Sequence, residues 1–118
     1  EPWTYEDGTP FFSPSSMSQL LRHSSGRWFW LGNLSPENCR GNSPRWPLAI
    51  GEVDPKSLLL IKESVLPIDT KQPDEEGINL SHWWAFEDRE THDILVAMGR
   101  HNLRYTAVTP MLCTVGVE

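Results

Sequence analysis

Residues 17–33 read Met-Ser-Gln-Leu-Leu-Arg-His-Ser-Ser-Gly-Arg-Trp-Phe-Trp-Leu-Gly-Asn. Two runs rich in apolar side chains flank Ser24-Ser25-Gly26. A short Ser/Gly break between such runs predicts an antiparallel hairpin with strands over 17–23 and 27–33. A helix over 15–23, capped by Ser16, is the competing reading. It is the weaker one, because the turn leads directly into Trp28-Phe29-Trp30, a run that favours strand.

Further strand signals follow on either side of turn residues, over 47–54, 58–68, 80–87, 93–100 and 106–117. Ten prolines spread along the 118 residues leave few windows long enough for a helix. The hairpin also has a counterpart. Ser18-Gln19-Leu20-Leu21 is followed 63 residues later by Ser81-His82-Trp83-Trp84, and Pro47-Leu48-Ala49-Ile50 at the same offset by Pro110-Met111-Leu112-Cys113. Each copy runs strand, tight turn, strand, polar loop, strand, and the first copy adds a fourth strand. A repeated antiparallel meander is the sequence signature of a β-propeller. The expectation is an all-β propeller fragment in one unit, 1–118. A four-stranded antiparallel blade occupies about 13–68, and an incomplete three-stranded blade about 79–118. A single small β-sandwich or barrel built from the same strands is the alternative.

Composition narrows the function. The chain is 38% hydrophobic and 22% charged, with six Trp and a net charge of −6. That is a folding composition. Its negative balance gives no clustered base to hold phosphate, so no nucleic-acid partner is expected. No apolar run approaches the roughly 18 residues of a membrane span. Cys39 and Cys113 lack any Cys/His neighbourhood, so neither metal nor cofactor is expected; whether they pair is open. The opening Glu1-Pro2-Trp3 is no translation start, so the chain reads as a piece of a longer one, with any targeting segment outside it.

Three stretches carry a family likeness: Gly26 to Asn33, Gly41-Asn42-Ser43-Pro44-Arg45-Trp46-Pro47-Leu48, and Glu87-Asp88-Arg89-Glu90-Thr91. Across about 13–100 the chain resembles the sialidase-like (BNR-repeat, neuraminidase superfamily) proteins. The family's Asp-box, Ser-x-Asp-x-Gly-x-x-Trp, is not intact; Glu52 to Ser57 stands in its place. The resemblance implies a six-bladed propeller whose last blade is completed by an N-terminal strand, and hence a partner strand or chain over the open edge. It also implies a secreted or periplasmic protein acting on an acidic glycan.

Propeller connectivity sorts the loops by face. Segments 13–18, 34–46, 69–82 and 101–109 are expected at the ligand-binding face, and turns 24–26 and 88–92 at the opposite one. Glu87-Asp88, which looks like a catalytic pair, therefore reads as a solvated turn. In sialidases an arginine in a second-to-third-strand loop grips the substrate carboxylate. The resemblance assigns that role to Arg45, with Asn42, Arg40 and Trp46 as further substrate-binding candidates. Guanidinium suits the task because its planar fork binds carboxylate bidentately. Stacking of Arg45 on Trp46 is the bland alternative. The family's tyrosine nucleophile has no counterpart, because Leu80 stands there. His82 and Tyr105 remain as candidate catalytic groups. Of Trp83 and Trp84, adjacent in a strand, one is expected in the core. The resulting expectation is part of a sialidase-superfamily glycoside hydrolase. The alternatives are a non-catalytic glycan- or protein-binding propeller module, or a small β-domain that pairs through its open edge.

Overall fold

The structure, a computed structural model, describes residues 3–104 and 106–117. It is all-β. A short hairpin of β1 (Trp3–Thr4) and β2 (Pro10–Phe11) precedes two antiparallel meanders. The first is four-stranded in the order β3 (Gln19–Arg22), β4 (Trp28–Asn33), β5 (Leu48–Val53), β6 (Leu66–Asp69). The second is three-stranded, β7 (Asn79–Glu87), β8 (Ile94–His101), β9 (Val108–Val115). The division into four plus three is the one the sequence predicts.

The turn between β3 and β4 closes as its sequence requires. His23 N donates to Arg27 O at 2.8 Å, Gly26 N donates to His23 O at 2.9 Å, and Gly26 sits at φ +91°. That conformation disfavours any side chain with a Cβ. Alternation along the strands then sends Leu21, Phe29, Leu31 and Ile50 to one face of the first sheet. They meet Trp83, Ala85, Val96 and Met98 from the second sheet in one shared core. Leu31, Leu48, Leu80, Ile94 and Val96 are sealed from solvent. Burying side chains of this size contributes about 1.5–3 kcal/mol each. Trp83 is in the core and Trp84 stands outward, 61% exposed.

Two readings of the sequence need correction. The apolar run 58–68 is not one strand. Leu58 has φ +62°, Leu60 forms an isolated bridge to Val53, a 3-10 turn spans Lys62–Ser64, and only Leu66–Asp69 pairs with β5. The cause is Gly51. A Cβ built there would lie 2.7 Å from Leu60 Cδ1, so the leucine fills the space that glycine leaves and folds over the sheet. The second repeat match is also out of register. Leu20 pairs Trp30 and Trp30 pairs Gly51, whereas Trp83 pairs Met98 and Met98 pairs Met111. Gly51, not Leu48, is the structural counterpart of Met111. Only the first-strand match, Leu20 with Trp83, is structural.

Candidate functional site

Polar contacts join the two sheets at both ends. The loop end gathers segments 15–16, 33–45, 79–82 and 101–102, as the face sorting expects. Asn33 is fully buried; its Nδ2 donates to Leu80 O at 3.1 Å, and its Oδ1 accepts from Ser16 Oγ at 2.9 Å. Ser15 N donates to Gly41 O at 2.7 Å. Arg40 and Ser43 close a tight turn through mutual backbone bonds of 2.9 and 3.2 Å, with Gly41 at φ +58°. Arg40 and Asn42 are exposed there.

Arg45 crosses from that loop to the second sheet. Its carbonyl accepts from Leu80 N at 3.0 Å, its Nε donates to Asn42 O at 2.9 Å, and its Nη1 donates to Ser81 Oγ at 2.9 Å. With its amide oriented by its partners, Asn42 also accepts from Arg45 Nη2 at 3.1 Å and donates to Ser15 O. The guanidinium is thus fixed in place rather than trailing in solvent. Trp46 follows Arg45 in the chain. That indole is half buried against the inter-sheet core, with Lys71 Nζ 5.9 Å from the ring centre.

Beyond Ser81 lies a pair of imidazoles. Ser81 is buried, and its oxygen lies 3.4 Å from His82 Nδ1. Since that oxygen accepts from Arg45, its proton is available to His82. The His82 and His101 rings are 4.6 Å apart, tilted by 55°. Gly99, opposite His82 in the sheet, makes this contact possible, because a Cβ there would fall 3.0 Å from His101 Nε2. The geometry therefore brings Arg45, Asn42 and His82 together and adds Ser81 and His101. Tyr105 lies outside the described residues. His101 was findable in the sequence only through its pairing with β7, which no local pattern encodes.

The charge at this end is mixed. Segments 34–46 and 102–107 carry Arg40, Arg45 and Arg104 against the single acid Glu37, in a chain of net charge −6. The third loop there, 70–78, carries Asp74, Glu75 and Glu76 against Lys71, with Glu75 bonded to Arg100 Nη2 at 2.6 Å, and Asp69 before it bonds Arg100 Nη1.

The turn end is built differently. Glu87 accepts from Ser24 N at 2.7 Å, Ser24 Oγ at 2.5 Å and His92 Nδ1 at 2.8 Å. These donors, Ser24 first and then His92, pull its carboxyl down to about 2. His23 is buried beside them. Ser25 N donates to its Nδ1 at 3.1 Å, so Nε2 carries the proton and donates to His92 O at 2.7 Å. Glu87 is therefore a clasp between the sheets rather than a merely solvated carboxylate. Asp88 fits the turn reading, its Oδ1 accepting from Glu90 N and Thr91 N. Ser24, His92 and Glu87 have the composition of a nucleophilic triad but not its wiring. Both Ser24 Oγ and Glu87 approach the same imidazole nitrogen, and the hydroxyl donates to the carboxylate itself. A relay needs the imidazole between them.

Cys39 and Cys113 are free thiols, Cys113 with its Sγ 3.9 Å from Met98 Sδ. Among the described residues no group of three or more His, Cys, Asp or Glu is arranged to hold a metal ion, and no helix is long and apolar enough to cross a membrane. Comparisons with protein-family models, curated proteins and solved structures find no match.

Proposed function

We propose that the chain is a sialidase-like propeller module that binds an acidic glycan at its loop end, with Arg45 taking the sugar's carboxylate, without itself cleaving the glycan. The observation that carries this reading is the anchoring of Arg45 on buried Ser81 beside the His82–His101 pair. A cation held by neighbouring oxygens loses little freedom on meeting an anion, so little ordering opposes binding. Two imidazoles alongside supply hydrogen bonds to hydroxyl or carboxylate oxygens. Asn42 and exposed Arg40 stand at the rim as further contacts. Trp46 supports the loop from beneath. Secretion or a periplasmic home remains part of the same proposal.

Turnover is the weaker reading for these residues. Leu80, where the resemblance puts a tyrosine nucleophile, is fully buried. The strongest carboxylate, Glu87, is committed to the clasp at the turn end.

Calorimetric titration with a sialylated trisaccharide, a glucuronate oligosaccharide and neutral lactose tests the proposal. Acidic ligands should bind, lactose should not, and no cleavage product should appear. Arg45→Met and the pair His82→Ala/His101→Ala should each weaken binding about tenfold or more, equivalent to about 1.4 kcal/mol. Thermal melts of the variants separate lost binding from lost folding. Equal binding of lactose, unchanged affinity in folded Arg45→Met, or release of free sugar would each overturn it.

A further inference from the structure

At the loop end a cleft of about 500 Å³ lies between two segments of the chain. Phe11, Phe12, Ser13 and Ser15 form one wall, and Asn38 and Gly41 the other. Backbone hydrogen bonds pin the two segments together at two places. Ser35 N donates to Phe12 O at 2.8 Å, and Ser15 N donates to Gly41 O at 2.7 Å. The Phe11 ring is held in turn by Tyr5, with ring centres 4.7 Å apart. The walls are therefore set before a ligand arrives, and the volume falls within the roughly 300–1,000 Å³ of small-molecule sites.

The chemistry of the walls limits what can enter. Among the described residues that line the cleft, none bears a charged side chain. Phe11 and Phe12 offer ring surface, while the Ser13 and Ser15 hydroxyls and the Asn38 amide offer hydrogen bonds. A neutral sugar has the matching two sides, C–H groups on its ring faces and hydroxyls around its rim. Aromatic rings take the first and hydroxyl or amide groups the second. A carboxylate entering the same cleft would lose water without meeting a cation on these walls.

The cleft adjoins the Arg45 site. The carbonyl of Ser15, in the cleft wall, accepts from the Asn42 amide, whose oxygen accepts from Arg45 Nη2 at 3.1 Å. One side chain thus separates the uncharged cleft from the guanidinium. A single glycan fits both places when its charge is on one sugar and the sugar linked to it is neutral.

We propose that this cleft is a second subsite of the loop end, and that it takes the neutral sugar joined to the acidic one. The preferred ligand is then a neutral oligosaccharide capped by an acidic sugar, not the free acidic sugar. This inference rests on the reading of Arg45 as the carboxylate site.

Calorimetry on the 118-residue chain with the methyl glycoside of sialic acid and with the sialylated trisaccharide tests this. The trisaccharide should bind about tenfold more tightly than the monosaccharide. Cys39 also lines the cleft, so its alkylation is a second readout, with Cys113 as the reference thiol in the same sample. Saturating trisaccharide should slow alkylation of Cys39 relative to Cys113, and saturating monosaccharide should not. Asn38 is exposed, so Asn38→Ala should melt like the parent while its trisaccharide affinity falls toward that of the monosaccharide. Equal affinities for the two ligands, or Cys39 alkylated at its free rate under saturating trisaccharide, would overturn the subsite and leave the Arg45 reading standing. Failure of both ligands to bind would overturn the Arg45 reading and the subsite with it.

Discussion

The four histidines divide two and two between the ends of the sheets, and the ends use them in opposite ways. At the turn end His23 and His92 are spent on protein partners: Ser25, a backbone carbonyl and Glu87. His92 even adopts φ +63°, an unfavourable conformation for a side chain with a Cβ. At the loop end His82 and His101 pack on each other behind an arginine that is itself held from the rear. The first arrangement is a closed clasp that holds two sheets together. The second fixes a guanidinium on Ser81 and Asn42 beside two packed imidazoles. A carboxylate with a strongly lowered pKa is thus no guide to function here, because its donors come from the protein's own turns.

Three substitutions break or sharpen this contrast, beginning with the largest effect. Leu31→Ala removes a sealed side chain from the core that both ends share. It should cost about 3 kcal/mol in denaturant unfolding. Fluorine probes placed at the two ends should report the same midpoint, since one core supports both. Two separate midpoints would mean that the ends are held independently.

Asn33→Ala acts at the loop end alone. It strips Leu80 O and Ser16 Oγ of a buried partner. A loss of about 2 kcal/mol is expected, with faster amide exchange at Arg45 and Ser81 but not at Ser24. Exchange that quickens equally at Ser24 would erase the distinction between the ends.

Glu87→Gln acts at the turn end, and its signature is in pH. The carboxyl falls from its ordinary 4.5 to about 2 in the folded chain. A depressed folded value means that the contribution is fully present above pH 4.5 and is lost as pH falls toward about 2. The variant should melt lower than the parent at neutral pH, and the difference should shrink across that window. Asp7, Asp54, Glu75 and Asp88 are also lowered, so an acid limb remains in both proteins. A melting difference independent of pH would contradict the clasp.

How much of this the sequence reveals follows the range of each interaction. Strand and turn patterns are local, so the four-plus-three division is legible from Trp28-Phe29-Trp30 and its neighbours. Leu58 to Leu60 mislead because an apolar run looks the same whether it pairs as a strand or folds over a distant glycine. The β1–β2 hairpin escapes because two-residue strands carry no alternation to detect. The choice of the loop end over Glu87-Asp88 rests on connectivity alone, which places the loops but not their chemistry. The details of both ends do not show in sequence. Ser24 to Glu87 spans 63 residues, Arg45 to Ser81 spans 36, and Gln19 reaches 66 residues to bond both backbone groups of Ala85. Such pairings exist only once the sheets have packed.

The most direct test of the central claim is a titration of the histidine-labelled chain with a sialylated trisaccharide, read by two-dimensional NMR of the imidazole signals. The account predicts that the His82 and His101 resonances move together while His23 and His92 stay still. Movement at His23 and His92, or no movement at any of the four, would contradict it.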